Sequence, residues 1–190
     1  MALSSIEFQA LTTAPRFTAW VALGGNLGDV PATFRQALAA MVSLPGTRLL
    51  GVSALFETAP WQAQGPVFHN AVAALDTALG AGELLRTLLA IEARLGRERP
   101  FPNAPRTLDL DLLAHGDRIA HAPELTLPHP RAHERAFVLA PWAELRARLA
   151  PLGLRDAATL SPLPAADALL ALCAAQGAQL AQGPEWAAAP

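Results

Sequence analysis

An α+β fold, with one antiparallel sheet and helices gathered on one of its faces, is what this 190-residue sequence predicts. Three features carry that expectation. Apolar runs of strand length alternate with longer segments whose apolar residues recur at helical spacing. The elements follow in the order β-α-β-β-α-β. A composition of 52% hydrophobic and 16% charged residues, at this length, suffices for one ordinary core and not for two.

Phe17 to Leu23 is apolar almost throughout and predicts the first strand, which ends in the Gly24-Gly25-Asn26 turn where backbone can approach another group closely. Asp29 and Pro31 signal a helix start, and Phe34, Leu38 and Met41 at i, i+4 and i+7 turn one stripe toward the sheet. Pro45-Gly46 stops that helix. Leu49 to Glu57 and Phe68 to Thr77 predict two neighbouring antiparallel strands, separated by a loop with Pro60, Gly65 and Pro66. Glu83 to Leu95 is the clearest helix: Leu84, Leu88, Ile91 and Leu95 form its stripe, Leu85 and Leu89 widen it, and Gly96 caps it. Leu108 to Ala114 is a buried strand, and a helical run from Val138 to Leu149 packs through Leu139, Trp142 and Leu145. This order is the split β-α-β, ferredoxin-like arrangement, in which both helices cover one face and leave the other for a site. The domain is expected over 17–150, after a flexible N-terminal extension over 1–16. Residues 151–190, rich in alanine and proline, form a C-terminal extension with one helix near Asp167 to Ala175 and no expected chemistry.

The formal charge of -2 supplies no general attraction to nucleic acid or to an acidic membrane. Phosphate binding must therefore come from local clustering. All 14 basic residues are arginine, and eight fall between Arg86 and Arg135, where forked donors grip phosphate oxygens. The absence of lysine excludes a P-loop. The lone Cys173 has no partner for a disulfide or a zinc site, which points to a reducing compartment. Met1 to Arg16 lacks a signal-peptide pattern, and no apolar stretch approaches the ~18 residues of a membrane span. A cytoplasmic monomer acting on small molecules, with no nucleic-acid or membrane partner, is the expectation.

In Thr107-Leu108-Asp109-Leu110-Asp111-Leu112-Leu113 the side chains alternate faces, so Asp109 and Asp111 emerge together while the leucines fill the core. At roughly 7 Å between same-face neighbours, two such carboxylates suit magnesium shared with ATP phosphates. The alternative is a solvated strand face. Arg97, Arg99 and Arg106 bracket the strand as a phosphoryl clamp or as surface ion pairs. Glu92 lies at the border of its helix's apolar stripe, where Arg97 or a ligand group would satisfy it. Phe68 and Asn70 share a strand face and suit a flat heterocycle, although an aromatic so placed, like Phe137, also suits the core. His129 sits between two prolines, where an imidazole donates to phosphate or simply holds a turn. His69, His115, His121 and His133 show no zinc-ligand spacing. Two other readings remain open from the residues: a ferredoxin-like RNA-binding module and a two-metal phosphodiesterase.

Four segments together resemble the 6-hydroxymethyl-7,8-dihydropterin pyrophosphokinase family along about 17–150: Ala22 to Asp29, Phe68 to Val72, Pro105 to Asp111, and Pro128 to Arg131 continuing through Glu134 to Leu139. The resemblance implies a ferredoxin-like fold and transfer of the β,γ-pyrophosphate of ATP to the hydroxymethyl oxygen of a reduced pterin, with release of AMP. It implies two magnesium ions on Asp109 and Asp111 and phosphate clamps at Arg97 and Arg106. It further implies a pterin pocket of Thr58, Phe68, Asn70 and Phe137, and ATP-side residues Glu92, Arg99, His129 and Arg135. Gly25 stands where the family usually has serine, Trp61 replaces a smaller apolar residue, and Asn103 stands where many members have tryptophan. The segment from Arg99 to Pro105, with three prolines, reads as a mobile lid over the phosphates.

Overall fold

The computed structural model describes residues 15–60, 65–97, 104–154 and 163–188. Strand β1 (Phe17–Gly25) is central, flanked by β4 (Phe68–Thr77) and β5 (Asp109–His115). On the far side of β4 lie β2 (Thr47–Val52) and β3 (Leu55–Thr58), one after the other, and β8 (Gln179–Gln182) pairs with β3. Each of these pairings is antiparallel. A small hairpin of β6 (Ala120–Ala122) and β7 (Leu125–Leu127) stands apart.

The one strand expected over Leu49 to Glu57 is two, because Ser53 interrupts the ladder. Its backbone N–H donates to Val72 O at 2.8 Å, its Oγ accepts the Val72 N–H at 2.9 Å, and the same hydroxyl donates to Ala54 O at 2.7 Å. A side chain thereby replaces a ladder partner, which hydrophobic pattern does not reveal.

Helices α1 (Val30–Val42) and α2 (Ala81–Arg94) form where their stripes predict. Asp29 caps α1 by accepting the Ala32 N–H at 3.0 Å. Phe34, Leu38 and Met41 of α1 join Leu84, Leu88 and Ile91 of α2 over Val21, Leu23, Leu75 and Leu110 of the sheet and Leu108 just before β5. The opposite face is not open, contrary to expectation. Helix α3 (Ala136–Leu149) lies over it, setting Val138, Trp142 and Leu145 against Trp20, Val72, Ala74 and Leu113, with the Trp20 and Trp142 ring centroids 6.1 Å apart. The reason is in the strands: β1 and β4 are apolar on both faces, so both need covering.

The C-terminal extension adds more than the expected helix. Helix α4 (Ala166–Gln176) lies beside α3, β8 extends the sheet, and Trp186, 5% exposed, enters the core with its ring 5.9 Å from that of Phe34. Trp186 Nε1 donates to Ser53 O at 2.9 Å, and Arg35 donates to Trp186 O at 3.1 Å. Residues 1–14, to which most of the flexible N-terminal extension was assigned, lie outside the described residues. No helix among the described residues is long and apolar enough to cross a membrane.

Candidate active site

On β5, Asp109 and Asp111 lie opposite Gly24 and Ala22 of β1. Farther along, the pairing slips so that Leu113 has no opposite residue, and both Leu113 and Ala114 turn toward α3. This bulge lets β5 end in apolar contacts under α3 while its start carries carboxylates past the helix's edge. On the other side of β1, Gly24 faces Asn70 of β4. A Cβ at Gly24 would sit 3.6 Å from Asn70 Oδ1 and 3.7 Å from Asp109 Cβ. The glycine thus leaves a bare floor between an amide and a carboxylate.

Three arginines converge on the carboxylates. Arg97 pairs with Asp109 Oδ1 at 2.5 Å and also with Glu92, Arg106 pairs with Asp109 Oδ2 at 2.9 Å, and Arg135 stands 3.6 Å from Asp111 Oδ2. Glu92, 2% exposed, also accepts the Leu110 N–H at 2.6 Å, so it ties Arg97 to the backbone of β5 from beneath. Burial pushes the Glu92 carboxyl up, against the Leu110 N–H and the Arg97 charge. Burial likewise raises Asp111, Asp109 adds to the rise, and His129, Arg135 and Arg97 oppose it. Burial lowers His129 and Arg135, with Asp111 acting the other way on each. His129 is held in place by its N–H to Leu113 O at 2.9 Å, and its Nδ1 accepts the Arg131 N–H at 3.2 Å.

The donor set fits magnesium. Among the described residues no group of three or more His, Cys, Asp or Glu side chains could hold a metal ion; Asp109 and Asp111 stand as a pair of carboxylates on β5. Magnesium is commonly held by one or two carboxylates together with substrate phosphates. The Nε atoms of Arg97, Arg106 and Arg135 are buried without a hydrogen-bond partner, as donors awaiting anionic oxygens would be.

Phe68 and Phe137 border the same region. Arg106 Cζ lies 5.3 Å from the Phe68 centroid and Arg135 Cζ 5.6 Å from that of Phe137. Asn70 Nδ2 donates to Thr58 Oγ1 at 3.0 Å, which orients the amide from the side of β3. The sequence-predicted residues Thr58, Phe68, Asn70, Glu92, Arg97, Arg106, Asp109, Asp111, His129, Arg135 and Phe137 thus fall on the elements around this end of the sheet. Arg99, Trp61 and Asn103 lie outside the described residues, as does most of the segment read as a lid.

Sequence reasoning missed Asn26. Its Oδ1 accepts the Arg106 N–H at 2.8 Å, its Nδ2 donates to Pro66 O at 3.2 Å, and its own N–H donates to Arg106 O at 2.9 Å. One amide therefore joins the loop after β1, the loop before β4 and the strand entry carrying Arg106. Its position directly after two glycines was the available signal. The glycine at 25 also acquires a reason: a Cβ there would lie 2.6 Å from Thr107 O, so this packing admits no serine.

Residues 20–147 match the family described as 7,8-dihydro-6-hydroxymethylpterin-pyrophosphokinase. The chain belongs to that family. It is similar to the 2-amino-4-hydroxy-6-hydroxymethyldihydropteridine pyrophosphokinase of Pseudomonas aeruginosa, 46% identical over 127 residues, covering 66% of this chain and 78% of the relative. The enzymes of the same name from Methylorubrum extorquens and Bacillus subtilis are 41% and 40% identical, each over 67% of this chain and over 81% and 77% of the relative. Among solved structures, a Plasmodium falciparum HPPK-DHPS chain shares the fold at a TM-score of 0.52 and 12% identity, over 66% of this chain and 39% of that one. Membership in this family of pyrophosphokinases makes the chain an enzyme and disfavours both the RNA-binding and the phosphodiesterase readings.

Proposed function

We propose that the chain transfers the β,γ-pyrophosphate of ATP to the hydroxymethyl oxygen of 6-hydroxymethyl-7,8-dihydropterin, giving AMP and the pterin diphosphate used for folate. One observation carries the assignment to this site: Asp109 and Asp111 stand among Arg97, Arg106 and Arg135, beside a Phe68, Asn70 and Phe137 pocket edge. Phe68 and Phe137 stack the two faces of the bicyclic ring, and Asn70, oriented by Thr58, reads its hydrogen-bonding edge. This orients the hydroxymethyl group toward the carboxylates.

The hydroxyl oxygen bonds to the β-phosphorus as the bond from that phosphorus to the oxygen shared with the α-phosphate breaks. AMP leaves with that oxygen, and the hydroxyl proton is released to water. Little is asked of a protein base; positioning and charge neutralisation dominate. Arg97 and Arg106 turn from Asp109 to the transferring phosphates, with Glu92 holding Arg97 from below, while Arg99, His129 and Arg135 serve the ATP side. Asp109 and Asp111 would hold two magnesium ions, which when bound neutralise phosphate charge and fix the phosphates in line. The order β5-β1-β4 with β2 and β3 both on the far side of β4, leaving aside β8 added beyond β3, supports the ferredoxin-like reading. We also read the enzyme as a cytoplasmic monomer acting on small molecules.

Incubation with ATP, magnesium and the pterin should release AMP and pterin diphosphate in equal amounts. Formation of ADP, or AMP without pterin diphosphate, would overturn the assignment.

A further inference from the structure

The family match ends at residue 147, yet the chain beyond it reaches back to the site. Helix α3 begins at Ala136 with Arg135 at its N-cap position, and no side chain of Arg135 caps it. The missing acceptor comes from the last residue of α4. Gln176 Oε1 accepts the Ala136 N–H at 2.9 Å, and Gln176 Nε2 donates to Glu134 O at 2.8 Å. The two bonds of one amide straddle Arg135, leaving its backbone spanned on both sides. The adjacent Phe137 occupies the first turn of the same helix. Arg135 reaches Asp111 at 3.6 Å and lies over the Phe137 ring at 5.6 Å, so a shift of this backbone moves a guanidinium and a ring together.

We infer that Gln176, in the C-terminal extension, is a positioning residue that holds Arg135 and Phe137 in register with Asp111 and so completes the site from outside the family core. The anchoring of the extension supports this. Strand β8, three residues after Gln176, pairs with β3, whose last residue is the pocket residue Thr58, and Trp186 fastens the end of the extension into the core. An exposed glutamine would contribute one ordinary surface contact; here its carboxamide satisfies a donor and an acceptor of the segment that carries the site. The inference rests on the roles given above to Arg135 and Phe137.

The test compares wild type, Gln176→Met, Phe137→Ala and the double variant by AMP release, with pterin varied at saturating MgATP. Methionine keeps length and helix propensity and removes both hydrogen bonds. Gln176→Met should raise the KM for pterin about tenfold. In the Phe137→Ala background the same change should have less than about a twofold effect, because the ring through which Gln176 acts is gone. An equal fold-loss in both backgrounds would make Gln176 merely structural and overturn the inference. Wild-type kinetics for Gln176→Met beside an impaired Phe137→Ala would overturn it too, leaving the pterin pocket standing. A normal pterin KM for Phe137→Ala would sink the pocket assignment itself, and the inference with it. If the methionine variant does not fold, Gln176→Glu is scored the same way, since it can still accept from Ala136 but cannot donate to Glu134.

Discussion

Replacing Asn26 with alanine should uncouple stability from catalysis in a measurable way. The side chain, 5% exposed, makes two hydrogen bonds, from the Arg106 N–H at 2.8 Å and to Pro66 O at 3.2 Å. Deleting it leaves one backbone donor and one acceptor without those partners. At about 1 kcal/mol for each lost bond, and more for a donor that water does not reach, the expected cost is about 2 kcal/mol. A protein of this size would lose roughly 4–8 °C in Tm and remain folded at 25 °C. The catalytic effect should be larger than that loss suggests. Arg106 is anchored to the loop after β1 both through Asn26 Oδ1 and through its carbonyl, which accepts from Asn26 N and, at 3.2 Å, Leu27 N. Without the side-chain bond the guanidinium is less well aimed at Asp109 and the phosphates. Misplacement on the order of 1 Å costs up to about a hundredfold in rate. The expected kcat is therefore about 10- to 100-fold below wild type, with urea unfolding and AMP release measured on the same preparation. A 2 kcal/mol loss of stability with unchanged kcat would refute the reasoning, because Asn26 would then be a loop staple alone.

Asp111→Asn should lower magnesium-dependent turnover by more than about a hundredfold while the urea midpoint stays close to wild type, since the side chain binds outside the core; near-normal turnover would remove it from the metal site. Trp186→Ala should cost about 3–4 kcal/mol in urea unfolding, because the ring contacts the Phe34 core and its Nε1 satisfies Ser53 O; a loss below about 1 kcal/mol would mean that the extension does not seal the core. The Asp76 carboxyl sits below its ordinary 3.8: burial raises it, but hydrogen bonds and charge from Arg16 and Arg48 outweigh that. Its stabilisation is therefore present above pH ~4 and lost as pH falls through the lowered folded value. Asp76→Asn should be less stable than wild type by about 1 kcal/mol at pH 7, with the gap closing below pH ~4, and a gap that persisted undiminished to pH 2 would contradict this.

The pairing of two carboxylates on one face of β5 was legible because it is local. Asp109 and Asp111 two residues apart on a strand must share a face, and the leucines between them must enter the core, whatever the rest of the chain does. The helices followed from stripes such as Leu84, Leu88 and Ile91, and β4 from an unbroken apolar run between turn residues. Where one residue's role depends on a distant partner, the sequence was silent. Asn26 is 80 positions from Arg106 and Ser53 is 133 from Trp186, and neither bond leaves a periodic trace. The Arg97 pairing of Glu92 was among the expectations, but its bond from the Leu110 N–H was not, and Gln176 lies 40 positions from the helix end that it caps. Periodicity records which way a side chain points within its own element. Only the closed fold decides what it meets there, because hydrogen bonds are satisfied by whichever groups the topology brings within 3 Å, and burial removes water as the alternative partner.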